Sequence, residues 1–140
     1  MRIKLYFWEV VPKDKCSYFT IRLISTKTGT IAVGFIDRKE QRERQSVYSL
    51  SYDFRTGDLK DSNFEKEAKQ CNWHKFRDPI PLKKNSVVRV EVSPRDQRVA
   101  FYCDNEWACE TVIPNYLMKV DMVPYISIKH QHDEFLINDE

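Results

Sequence analysis

The chain has 140 residues, 41% hydrophobic and 13% aromatic, with 23 Lys and Arg against 21 Asp and Glu for a formal net charge of +2. That length suffices for one domain over 1–140 with its own core, and the apolar content excludes a disordered chain. Interleaved charges argue against a nucleic-acid surface, and 3 glycines are too few for a phosphate-cradling loop.

The elements read in chain order are mostly strands, because the dominant period is two. A first strand is predicted at Ile3–Val10. In Tyr18–Ser25 the apolar Phe19, Ile21 and Leu23 alternate with Thr20 and Arg22. Thr30–Asp37 follows after the Thr28-Gly29 turn. Ser46–Phe54 sets Tyr48, Leu50, Tyr52 and Phe54 against Ser49, Ser51 and Asp53. Thr56-Gly57-Asp58 is a turn signal. Phe64, Ala68 and Cys71 then fall at helical spacing behind a Ser62/Glu65 capping box, which predicts a short inserted helix over Asn63–Gln70. Strand alternation resumes in Ser86–Ser93, where Val88, Val90 and Val92 oppose Arg89 and Glu91. It continues through Arg98–Cys103, Trp107–Val112, Val123–Lys129 and Glu134–Ile137. Ser93-Pro94-Arg95-Asp96 and Asp104-Asn105 are the intervening turns. About nine short strands with these punctuators describe an all-β antiparallel sandwich. Val90 and Phe101 are expected in its core.

Four blocks resemble the SPRY domain, in that family's order. They are Thr30-Ile31-Ala32-Val33-Gly34-Phe35; Val47 to Leu50 with Arg55 to Leu59; the long Val87 to Trp107 block; and Val123 to Ser127 with Phe135 to Asn138. The resemblance implies a β-sandwich of concanavalin-like jelly-roll type. The family's Gly-Asp is Lys84-Asn85 here, its Asn-Gly turn is Asn105-Glu106, and its customary Trp is Tyr48. Asn and Asp tolerate the positive φ that Gly supplies, so Asp104-Asn105 is still expected to turn the hairpin. No PRY extension is evident ahead of Cys16.

No residue pattern points to an enzyme. His74, His130 and His132 lack a GxSxG elbow or a cysteine-nucleophile signature. Cys71/His74 and His130/His132/Asp133 would be metal ligands only as two chelating pairs, and their spacing matches no common zinc site. No metal and no cofactor are expected. Cys16, Cys71, Cys103 and Cys109 form no CxxC pair. Met1–Leu5 carries Arg2 and Lys4 with no apolar core behind them, so no signal peptide is read, and no apolar run approaches the ~18 residues of a membrane span. A cytoplasmic location with reduced thiols is the expectation. The run Arg38-Lys39-Glu40-Gln41-Arg42-Glu43-Arg44 is broken by acids and reads as a solvated loop rather than a nucleic-acid contact.

What the resemblance implies is a protein-interaction module that grips a peptide or partner surface through loops at one end. Such a module would serve as the recognition part of a ubiquitin-ligase or scaffold assembly; no RING-type Cys/His array is present. Carried over by position, the partner-binding candidates are Asp37, Arg38, Lys39 and Arg42; Lys60 and Asp61; and Lys129, His130, Gln131 and His132. The loops after Asp37 and after Ile128 are expected to converge on one rim, with the Ser93–Asp96 turn distant from it. The alternative is a lectin-like glycan-binding sandwich using Trp107, Asn105 and Glu106. Trp107 heads an alternating set with Cys109 and Thr111, which favours packing for it.

Overall fold

The computed structural model describes residues 3–6, 9–25, 31–39, 49–61, 75–76, 78–128 and 133–137. Their elements are β1 (Ile3–Tyr6), β2 (Ser17–Ser25), β3 (Ile31–Asp37), β4 (Ser49–Asp53), β5 (Leu59–Asp61) and β6 (Lys75–Phe76), then β7 (Val87–Ser93), β8 (Arg98–Cys103), β9 (Glu106–Val112), α1 (Asn115–Met118), β10 (Met122–Ile128) and β11 (Glu134–Ile137). One sheet has the order β1-β10-β3-β4-β5 and the other β11-β2-β7-β8-β9-β6. Every pairing is antiparallel.

Alternation does what the sequence demands in the six-stranded sheet. Phe19, Ile21 and Leu23 of β2, Val88, Val90 and Val92 of β7, and Val99, Phe101 and Cys103 of β8 all turn inward and are buried. The facing sheet supplies Val33, Phe35, Leu50, Tyr52, Leu59 and Ile126. Aromatic pairs join the layers: Phe101 stacks on Tyr52 at 5.3 Å, and Phe19 meets Phe35 edge-on at 5.8 Å.

The five-stranded sheet departs from simple alternation. β3 and β10 are buried along their whole lengths. Ile36, Val123 and Tyr125 form a second small cluster, with Val10 packed against it. Val10 therefore does not extend β1 as expected; Val11 instead donates its N–H to the Met122 carbonyl at 2.8 Å. Gly34 sits where a Cβ would lie 1.8 Å from the Leu50 carbonyl oxygen, so β3 and β4 approach closely only because no side chain is there.

The turns follow the expected chemistry. Asp104 and Asn105 have φ of 50° and 67°, and Asn85 has 68°. The Asp104 carboxylate also accepts from the Val87 N–H at 2.8 Å and the Ser86 hydroxyl at 3.0 Å, tying two turns together. The short strands β5 and β6 and the helix α1 were not legible as elements. The predicted helix over Asn63–Gln70 lies outside the described residues.

A bulge in β9 decides which way Trp107 faces. The register passes from Phe101↔Cys109 to Tyr102↔Trp107, so Ala108 is an extra residue in β9. This bulge shifts the alternation by one position. Cys109 and Thr111 stay inward, while Trp107 pairs with the outward Tyr102 and is half-buried.

Candidate binding site

β3 ends at Asp37, whose buried carboxylate accepts the Lys39 N–H at 3.0 Å. The Arg38 N–H bonds the Asp121 carbonyl at 2.9 Å. These contacts pin the chain leaving β3 to the segment entering β10. Between them lies a cavity of ≈ 350 Å³ lined by Asp37, Arg38, Lys39, Lys119, Val120 and Asp121. Arg38, Lys39, Lys119 and Asp121 are exposed.

A partly buried cation organises the far wall. Lys13 Nζ donates to the carbonyls of Met118 at 2.6 Å, of Leu117 at 3.5 Å, and of Val120. These carbonyls lie in and just beyond the last turn of α1, where a cation is favoured. Burial pushes the Lys13 ammonium below its ordinary range, partly opposed by the Asp121 charge. Sequence reasoning missed Lys13, Lys119 and Asp121. The available signal was Pro114 ahead of Asn115–Met118, a turn of helix placed between two strands.

Of the expected loops, Lys60 and Asp61 fall at the same end as Asp37, because Asp61 pairs with Leu50 and Leu50 with Phe35. Lys60 is exposed. The expected convergence with the loop after Ile128 does not occur. β3 and β10 are antiparallel, with Met122 beside Asp37 and Ile128 beside Ile31, so the two strands release their loops at opposite ends. Glu134 confirms this, since it pairs with Ser25 at the Ile31 end. Lys129, His130, Gln131 and His132 lie outside the described residues, as do Arg42, Cys71 and His74.

The Ser93–Asp96 turn was expected far from Arg38, and this too is corrected. Gln97 Nε2 donates to the Ile113 carbonyl and to Asn115 Oδ1, both at 2.6 Å. The turn is thereby attached to the 113–121 segment that forms the cavity wall. It belongs to the same end.

Among the described residues no group of three or more His, Cys, Asp or Glu is arranged to hold a metal. The Cys103 and Cys109 thiols are free and fully buried. Burial pushes them up to about 11 and about 12, with Asp104 and Glu110 respectively adding to the shift. Such thiols are protonated and poor nucleophiles at neutral pH.

Neither a protein-family model nor a curated protein matches the sequence. Solved structures do match. A human SPRY domain superposes with a TM-score of 0.64 at 16% identity, over 96% of this chain and 82% of that one. The SPRY domain of human HERC1 gives 0.68 at 10% identity, over 99% and 82%. A stonustoxin structure gives 0.56 at 14% identity, over 96% of this chain but only 21% of that one. The fold is that of a SPRY domain.

Proposed function

We propose that this SPRY-fold sandwich is a non-catalytic protein-interaction module that receives a polar peptide or partner surface on the rim holding Asp37, Arg38, Lys39 and Lys119, with Lys60 and Asp61 on the same end. The observation that carries the reading is the cavity between residues 37–39 and 119–121, whose walls are tied together by the Arg38 N–H bond to the Asp121 carbonyl. Loops positioned by a rigid two-sheet scaffold are where binding concentrates in such folds. The exposed rim bears three cations beside Asp121, which suits polar and acidic groups better than an apolar helix. Cytosolic proteins are the expected partner pool, and a role as the recognition part of a scaffold or ubiquitin-ligase assembly is consistent with such a rim. β10 ends at Ile128 beside Ile31, away from this rim, so the rim proposed is built from residues 37–39, 60–61 and 119–121.

The test is capture from cytosolic extract by the wild-type chain, by Arg38→Glu/Lys119→Glu, and by Arg55→Glu at the opposite end. Rim charge reversal should lose the captured partner and leave melting unchanged, while Arg55→Glu should capture normally. A partner that ignores the rim pair and is lost with Arg55→Glu would place the site at the other end.

A further inference from the structure

The outer face of the six-stranded sheet carries a second surface, independent of the rim. Register brings its side chains into two rows that cross the strands. Tyr18, Glu91, Ala100 and Glu110 are consecutive cross-strand partners, and so are Thr20, Arg89, Tyr102 and Trp107 in the adjacent row. Ala100 is the small member of the first row. With only a methyl group between Glu91 and Glu110, the surface dips into a cavity of ≈ 360 Å³ over Ala100. A further open depression of ≈ 610 Å³ continues from it along the sheet, and Tyr18 and Glu91 wall both.

Three features describe what would fit. First, an aromatic ring faces solvent on a rigid floor. Tyr18 is 57% exposed and walls both depressions, with half-buried Tyr102 beside it in the floor of the first. Second, the charges are already matched. Arg89 Nε pairs with Glu91 at 3.2 Å, its Nη1 bonds Asn105 Oδ1 at 3.3 Å, and its guanidinium lies 4.6 Å over the Tyr102 ring. Arg98 lies 3.8 Å from Glu110. The lining carries Arg89 and Arg98 against Glu91, Glu110 and Asp104, so the trough presents oriented donors and acceptors with only a small net charge to select an ion. Third, β2, β7 and β8 are each paired on both sides. An extended peptide laid here would find no strand edge for its amides, whereas β-strand addition needs one.

We infer that this face is a binding site for a neutral oligosaccharide: a sugar ring resting on Tyr18 over the Ala100 dip, its hydroxyls bonded by Glu91, Glu110, Arg98 and Arg89. A polyhydroxylated, uncharged ligand with an apolar ring face matches an aromatic platform rimmed by self-neutralised polar groups. From β2 to β9 the trough crosses three strand spacings, about 14 Å, room for a short oligosaccharide rather than a single ring.

The test probes the full chain with a printed array of neutral, sialylated and sulfated oligosaccharides, then titrates the neutral oligosaccharide retained best. Binding should survive raised salt. Tyr18→Ala should weaken it about ten-fold or more, while Tyr18→Trp keeps it. Ala100→Leu, which removes no contact but fills the dip, should abolish it. Tyr18 is exposed enough that its variants should melt as wild type does, and Arg38→Glu should bind sugar normally, separating this site from the rim. Retention of no neutral oligosaccharide above the Tyr18→Ala background overturns the proposal. So does retention of charged glycans alone, or binding unaffected by Ala100→Leu.

Discussion

Phe101 offers the most direct test of the inter-sheet register. It has no exposed surface, its ring is stacked on Tyr52 with an interplanar angle of 27°, and it meets Phe54 at 6.4 Å. Phe101→Ala forfeits the transfer free energy of the ring and leaves a cavity, together about 3–5 kcal/mol in a packed core. Tyr52 belongs to the other sheet and Phe54 directly follows its strand, so the void lies between layers and no single strand can close it by shifting. The expected cost is therefore in the middle of that range, about 4 kcal/mol, including the lost ring pairing. For a chain of this size each kcal/mol lowers the melting temperature by about 3–5 °C, which predicts a drop of about 12–20 °C. Thermal and urea unfolding followed by circular dichroism would measure it. Tyr102→Ala is the control: one residue along, it faces solvent and should cost only about 1 kcal/mol. A Phe101→Ala melting curve within about 3 °C of wild type, or a larger loss from Tyr102→Ala, would mean β8 is slipped by one residue and the reasoning is wrong.

Gly34→Ala should fail to fold or lose most of its stability, because the added methyl would meet the Leu50 backbone oxygen rather than a side chain that can move; soluble yield and circular dichroism report it, and a near-native variant would contradict the close approach of β3 and β4. Cys103 and Cys109 should resist a thiol reagent at pH 8 in the folded chain and react on unfolding, whereas exposed Cys16 reacts at once. Their raised pKa values mean that unfolded thiols ionise first as pH climbs, so the folded chain holds more protons and stability falls from about pH 9 towards 11–12; a flat urea midpoint across that window would count against their burial. A strong chelator should leave the melting temperature unchanged, and a large drop would revive Cys71, His74, His130 and His132 as ligands.

Period-two alternation in β2, β7 and β8 was readable directly, because a strand's side chains must point alternately into and out of a core whatever its partner is. Turn chemistry was readable for the same local reason: Asp104, Asn105 and Asn85 adopt positive φ at the positions where the related pattern has Gly or its neighbour. The Ala108 bulge was not, since an extra residue shows only against a paired strand, and without it Trp107 continues the inward set of Cys109 and Thr111. The two-residue β6 and the three-residue β5 carry too few positions to show any period.

What the sequence alone determined was the sandwich class and, in β2, β7 and β8, which side chains face its core. Which end of the sandwich each loop occupies was decided by tertiary pairing alone. The chain after Asp37 and the chain after Ile128 each follow an apolar strand, and nothing local distinguishes their destinations. Their strands lie far apart in the chain and meet as antiparallel neighbours, so the loops part to opposite ends. The Lys119–Asp121 wall and the rows around Ala100 arise in the same way, from residues remote in sequence brought into register by backbone hydrogen bonds. Side-chain periodicity records a residue's face because it is a property of one strand; position along the sheet is a property of two.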